Sequence, residues 1–344
     1  MSGERIRGAF AGLAVGDAAG WPAARHRAAL HAPWSRRLHR ELDAFAEEHR
    51  VTTLPVPFAL NQPTAPLAVG PSDDAEWLAW TVLTIDRPRA EAFRELLDGE
   101  TSGIREGVRA RISVATALDN LAKGVEPPAS GHDNPHHFDD AAAVRAVAFG
   151  ALGRDPTQDA QVTNAFDGVL GAQAMAAAVA EAVASGSAAA AVEAALAVLP
   201  EDTAIGHNAR LALAVTREAG DPFAAVPALD AALIDHVYSY GVGAAQTVPV
   251  ALALAEAAGG ELVRAVPAAA CLAALADSAP ALTGALAGAC GGYAAIPDGW
   301  IASARTLAGC CLPDLAGRDL IELANNVTSN LTSNLTSNLT EGNA

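Results

Sequence analysis

Long runs dominated by Ala and Leu, broken by short polar or glycine-containing stops, set the pattern of this chain, and alternating β-branched runs are scarce. Stops such as Ser185-Gly186-Ser187 and Gly259-Gly260 follow stretches of helix length. The pattern predicts helices over 5–18, 74–86, 140–153, 167–184, 188–198, 206–218, 245–257, 262–275 and 279–291, and an all-α fold. Two loops are expected, an extended Pro-rich one over 50–72 and a polar one over 125–140. No linker divides them, so one domain is expected over 1–322. Over 323–344 a low-complexity polar tail repeats Thr-Ser-Asn-Leu. Its Asn330, Asn334 and Asn338 match glycosylation sequons, read as accidental because no secretory signal leads the chain.

Composition narrows the function. A chain of 344 residues with 51% hydrophobic content can bury a large core, which excludes disorder for its bulk. The net charge of −17 argues against a general nucleic-acid binder or a binder of anionic membranes, since both need a surplus of positive field. Four cysteines, two of them adjacent, show neither metal-finger spacing nor a disulfide framework and read as buried thiols in a reducing compartment. The apolar region 265–296 is interrupted by Asp277 and Pro280, which argues against a membrane span. The expected location is the cytoplasm.

Candidate chemistry starts at Pro71-Ser72-Asp73-Asp74-Ala75-Glu76-Trp77, where acids cluster at a helix start. Adjacent carboxylates repel unless a cation lies between them. Two readings stand side by side. Ser72 can cap the helix while the acids complement its macrodipole, or Ser72, Asp73 and Asp74 can supply oxygen ligands to a hard cation. Near the N-terminus Gly8, Gly12, Gly16 and Gly20 lie along one helical stripe, and Gly284 and Gly288 repeat the spacing late in the chain. Tight helix packing explains Gly8 and Gly12, whereas Asp17, set between two glycines, is equally a structural acid or a site residue.

In order and spacing, Gly12 to Gly20, Ser72-Asp73-Asp74, Ala276-Asp277-Ser278 and Gly284 to Ala289 resemble the ADP-ribosylglycohydrolase family, over roughly residues 5–305. Smaller matches are Ala142-Ala143-Val144-Arg145, Ala295-Ile296-Pro297 and Trp300. The resemblance implies a single orthogonally packed multi-helix domain with magnesium or manganese in a central cleft. It further implies hydrolysis of an N- or O-glycosidic bond at the anomeric carbon of ADP-ribose or a related riboside. The family's Thr-Asp-Asp-Thr falls on Ser72 to Ala75, and its Asp-x-Asp-Thr on Leu275 to Ser278. Ser72, Asp73, Asp74, Asp277 and Ser278 are thus the expected metal ligands, with Asp73 and Asp74 as catalytic acids orienting a metal-bound water. Leu275 stands where a second metal would want a carboxylate, and Ala24 where the family tends to carry Glu, so one well-held ion is expected and a second site is doubtful.

Other groups are candidates for substrate contact. Arg25 and Trp34 belong to a basic island over 25–40 that could meet a pyrophosphate and stack on a base, against the plainer reading of a solvated, ion-paired helix. Asp17, Asp140 and Arg145 complete the expected substrate-binding set, Asp140 closing the His-rich loop Gly131 to Asp140, which reads either as a lining of the cleft or as a surface turn. Zinc is disfavoured there, because no cysteine is near and structural zinc wants spaced ligands. Three functions follow: a metal-dependent glycosidase, a ligand-binding protein on the same fold that has lost turnover, or a purely structural helical protein. The expected partner is a small ADP-ribose-like or riboside molecule, free or attached to a macromolecule.

Overall fold

The computed structural model describes residues 2–20, 48, 70–101, 103–234 and 241–329. Arg25, Trp34, Ala24 and most of the 50–72 loop lie outside the described residues. Helices in chain order are α1 (Ser2–Gly20), α2 (Asp73–Thr84), α3 (Arg89–Arg94), α4 (Ile112–Ala122), α5 (Ala129–His132), α6 (Ala141–Ala151), α7 (Thr157–Thr163) and α8 (Asp167–Ser185). They continue with α9 (Ala188–Val198), α10 (Ala204–Ala219), α11 (Pro222–Leu233), α12 (Ala244–Ala257), α13 (Leu262–Ala270), α14 (Ala279–Gly291), α15 (Asp298–Ala304) and α16 over 320–329. Pairing between extended segments is limited to isolated bridges such as Asp139 with Gly243, so the described residues are all-α as the pattern predicts.

The glycine stripe shows why α1 and α14 form the centre. A Cβ on Gly12 would lie 2.1 Å from the Gly284 carbonyl oxygen, and one on Gly284 2.0 Å from that of Gly12. Gly8 and Gly288 face each other in the same way, and a Cβ on Gly16 would meet the Pro280 oxygen at 2.0 Å. The two backbones therefore touch, bringing the C-terminal end of α1 beside the start of α14.

Boundaries hold within a few residues for most of the predicted helices, while α4 (Ile112–Ala122) and α11 (Pro222–Leu233) are not among those the pattern predicts. The helix expected over 262–275 stops at Ala270 and gives way to a 3-10 turn, Ala273–Leu275, which aims Asp277 and Ser278 at the site. Within the expected 125–140 loop lies the short helix α5, Ala129–His132. At the other end α16 runs through the boundary drawn after residue 322: Ala324 is fully buried, and Leu323 and Val327 pack on the core. Of the four cysteines only Cys290 is buried, and Cys271 is exposed. By length and composition α8 could cross a membrane, but its buried Ala174, Met175, Ala178 and Val179 make it a core helix here.

Candidate functional site

Three helix starts converge on one point: α2 with Asp73 and Asp74, α6 with its N-cap Asp140, and α14 with Asp277 and its N-cap Ser278. Each start leaves backbone N–H groups and a positive dipole end, a setting that favours carboxylates. The predicted metal residues Asp73, Asp74, Asp277 and Ser278 are thus brought together, and Asp140 joins them. What lies among them is Arg111, the residue preceding α4. Its Nη2 donates to Asp74 Oδ1 at 2.6 Å and to Ser278 Oγ at 2.6 Å. Its Nη1 pairs with Asp140. Nε lies 3.5 Å from Asp73 Oδ2, and Nη2 3.9 Å from Asp277 Oδ2.

Burial divides the acids. Asp74 and Asp140 are enclosed, whereas the side chains of Asp73 and Asp277 keep 20% and 27% of their surface and form the rim. Burial pushes the Asp74 pKa well up; Arg111 opposes, while the charges of Asp73, Asp17 and Asp140 add to the rise. Burial likewise raises Asp140 to about 7, against the pull of Arg111. The Arg111 guanidinium, although buried, is held firmly charged by Asp140, Asp74, Asp73 and Asp277. Asp74 Oδ2 has no hydrogen-bond partner among the described residues, consistent with a carboxyl that takes up a proton.

Ser72 does not cap α2 with its side chain. Asp17 does so from α1: its Oδ2 accepts from the Ser72 and Ala75 N–H groups at 2.7 and 3.1 Å, and its Oδ1 from Ser72 Oγ at 2.5 Å. The expected contact of Asp17 with substrate is therefore corrected. It is 1% exposed, and its carboxylate fastens the helix that carries Asp73 and Asp74. Burial, then the charge of Asp73, lifts its pKa to about 7 against these hydrogen bonds. With its hydroxyl donated to Asp17, Ser72 shows no link to Arg111 and supports the cluster from behind.

Arg145 is corrected as well. Lying at 0% exposure, it cannot reach a ligand from solvent; its Nε pairs with Asp159 at 2.7 Å and its Nη2 donates to Thr163 Oγ1 at 2.7 Å. Asp140, expected to touch substrate, instead faces Arg111 from inside.

The metal expectation meets the same arrangement. A hard divalent ion needs several oxygens at about 2.0–2.6 Å, and the space between Asp74 and Ser278 that would provide them holds a guanidinium nitrogen. Leu275, 1% exposed, is packed into the core and offers no further ligand. The residues as arranged do not fit such an ion. Glu76, Cys310 and Cys311 also place ligand atoms within 4.8 Å of one another. Both Glu76 oxygens, however, already accept the N–H groups of Cys310, Cys311 and Leu312, each at 2.8 Å. That acid serves as the anchor of the 310–312 loop, and the Cys311 thiol is held protonated by its hydrogen bond with Cys310, by burial and by Asp73.

Sequence reasoning missed Arg111 and the cap by Asp17. The available signal for the former was an unbalanced set of acids in an Ala-rich interior, which calls for a cation from elsewhere in the chain. Beside the cluster, Asn164 donates to Asp139 Oδ1 at 2.9 Å and also lines a groove of about 560 Å³ with His132, Asp133, Gln161 and Phe166. Part of the His-rich loop thus borders an opening that shares no lining residue with the acidic cluster.

No curated protein matches the chain. A solved structure described as an ADP-ribosylglycohydrolase-related protein complex is similar with a TM-score of 0.54 and 18% identity, covering 94% of this chain and 96% of that one, a likeness of fold. The family model described as ADP-ribosylglycohydrolase matches residues 2–331, nearly the whole length that carries these helices: the chain belongs to the ADP-ribosylglycohydrolase family.

Proposed function

We propose that the chain recognises an ADP-ribose-like or simpler ribosyl glycoside at the acidic rim and hydrolyses the bond at its anomeric carbon. The observation that carries this reading is the split of the acids, with Asp73 and Asp277 reaching solvent while Asp74 and Asp140 lie behind them against Arg111. Breaking a glycosidic bond builds positive charge on the sugar ring, and carboxylates aimed at that charge lower the barrier. In this reading Asp73 takes a proton from the attacking water as its oxygen bonds to the anomeric carbon, while the aglycone leaves with the electron pair of the broken bond. Asp74 holds the geometry from inside. In the groove lined by Asn164, the exposed Phe166 ring and His132 offer flat faces to a base or other aglycone.

A second reading, a binding protein without turnover, is favoured by Leu275 and by Arg111, since a guanidinium does not lower the pKa of a water as a divalent ion does. Sugar release from a panel of ADP-ribosyl and ribosyl glycosides, with Asp73→Asn as control, separates the two. Release that is lost in the variant supports hydrolysis. Binding of ADP-ribose without release supports the second reading, and neither binding nor release removes both.

A further inference from the structure

We propose that Arg111 is the resident cation of this site: a guanidinium encoded in the chain has taken the place of a divalent ion, so the cleft is assembled and used without magnesium or manganese. The inference concerns the cation alone and holds whether the site turns over or only binds.

The geometry is that of a substitute ligand centre. One side chain meets Asp74 Oδ1 and Ser278 Oγ, both at 2.6 Å, pairs with Asp140, and stands 3.5 Å from Asp73 and 3.9 Å from Asp277. These groups come from three helix starts that share no other described cation. A guanidinium spreads its donors in a planar fork and remains charged at any working pH, so it can bridge several carboxylates as an ion would. Unlike an ion it cannot dissociate.

The chain around Arg111 keeps it there. Arg111 has extended backbone, φ −62° and ψ 161°, and does not cap α4 with its side chain, so the guanidinium is free to point into the cluster. Two residues earlier the Arg109 N–H donates to the Cys311 carbonyl at 2.8 Å. The 310–312 loop is in turn fastened to α2 through Glu76. The segment delivering the cation is thus tied to the helix that bears Asp73 and Asp74. Leu275 agrees with this exchange: an acid is absent where a further ion would need one, and a fixed charge is present where an ion would sit.

Manganese(II) titration followed by electron paramagnetic resonance tests the proposal on the full chain, as wild type and as Arg111→Ala. The expected result is a purely aqueous manganese signal with wild type, and in Arg111→Ala the loss of about one ion per chain from that signal, because the emptied carboxylates are hard-cation ligands. The melting temperature of wild type should not move on adding magnesium or a chelator, while that of Arg111→Ala should rise with manganese. A stoichiometric manganese site in wild type overturns the proposal. So does an Arg111→Ala protein that folds and still ignores the ion, since the cluster would then lack a metal-ligand set for the arginine to replace. If the variant folds only with manganese, the proposal is supported. If it folds in neither condition, the wild-type titration decides alone: an aqueous signal supports the proposal and a bound ion overturns it. Sugar release is read separately, so loss of the hydrolytic reading leaves this result intact.

Discussion

Two clusters of buried charge lie in this chain, and they are unbalanced in opposite directions. In one, Arg145 and Arg89 share the single carboxylate of Asp159, at 2.7 Å from Arg145 Nε and 2.9 Å from Arg89 Nε. Phe93, Trp80 and Phe149 lie under these guanidiniums, so the surplus positive charge is spread over aromatic faces inside the protein. In the other, Arg111 is the one described cation paired with four carboxylates, and among the described residues the surplus is negative. The first is closed to solvent and charge-paired within the protein, with Arg89 Nη2 lying 2.8 Å from Asp159 Oδ1. The second opens to solvent at Asp73 and Asp277, and its excess can be met by protons or by positive charge developing on a ligand. Buried arginine therefore does not identify a site; the sign of the imbalance, and whether it reaches solvent, does.

The largest expected effect comes from breaking the closed cluster. Asp159→Ala leaves two buried guanidiniums without their acid and should cost about 3–5 kcal/mol in urea unfolding, with little change between pH 5 and 8. Arg111→Ala should cost about 3 kcal/mol at pH 8 and distinctly less at pH 5, because Asp74 and Asp140 can then protonate and relieve their mutual repulsion. Equal costs at both pH values would mean that the two clusters do not differ as described.

A smaller effect belongs to wild type. In the folded chain Asp17 and Asp140 titrate at about 7, raised from 3.8 mainly by burial. The folded form therefore binds more protons than the unfolded one between these values. The stability from these protons is fully present below about pH 4 and is lost as pH rises through about 7. The melting temperature should fall between pH 5 and 8, and Asp17→Asn, which mimics the protonated cap, should flatten that fall. Smallest is the effect at the buried anchor of the 310–312 loop: Glu76→Gln removes the charge that gathers three N–H groups and should speed alkylation of Cys310 and Cys311 several-fold, read by mass spectrometry.

The acidic helix starts are legible in the sequence because capping residues and dipole-favoured acids are local signals, and the order of the motifs places Asp73, Asp74, Asp277 and Ser278 in one group. The stripe Gly8 to Gly20 is legible for the same reason. Arg111 is not: it follows Arg109 and Ala110 in a polar stretch without periodicity, and its partners are far along the chain. Arg145 is legible as a structural residue. Its helix, Ala141–Ala151, is apolar on every face, which marks a core helix whose one charge must be paired internally. Asp17 shows the opposite difficulty, since a cap supplied from another helix leaves no local trace.

The contact between the glycines of α1 and α14 also has a consequence for biogenesis. Those helices come from opposite ends of the sequence, so during synthesis α1 leaves the ribosome long before its partner exists. The first helix must wait with its glycine stripe and the apolar residues Phe10, Leu13 and Val15 uncovered, and no early domain can close around it. Assembly of the acidic centre therefore waits for the synthesis of α14, and a ribosome-stalled fragment ending before residue 276 should show no protected α1 in hydrogen exchange.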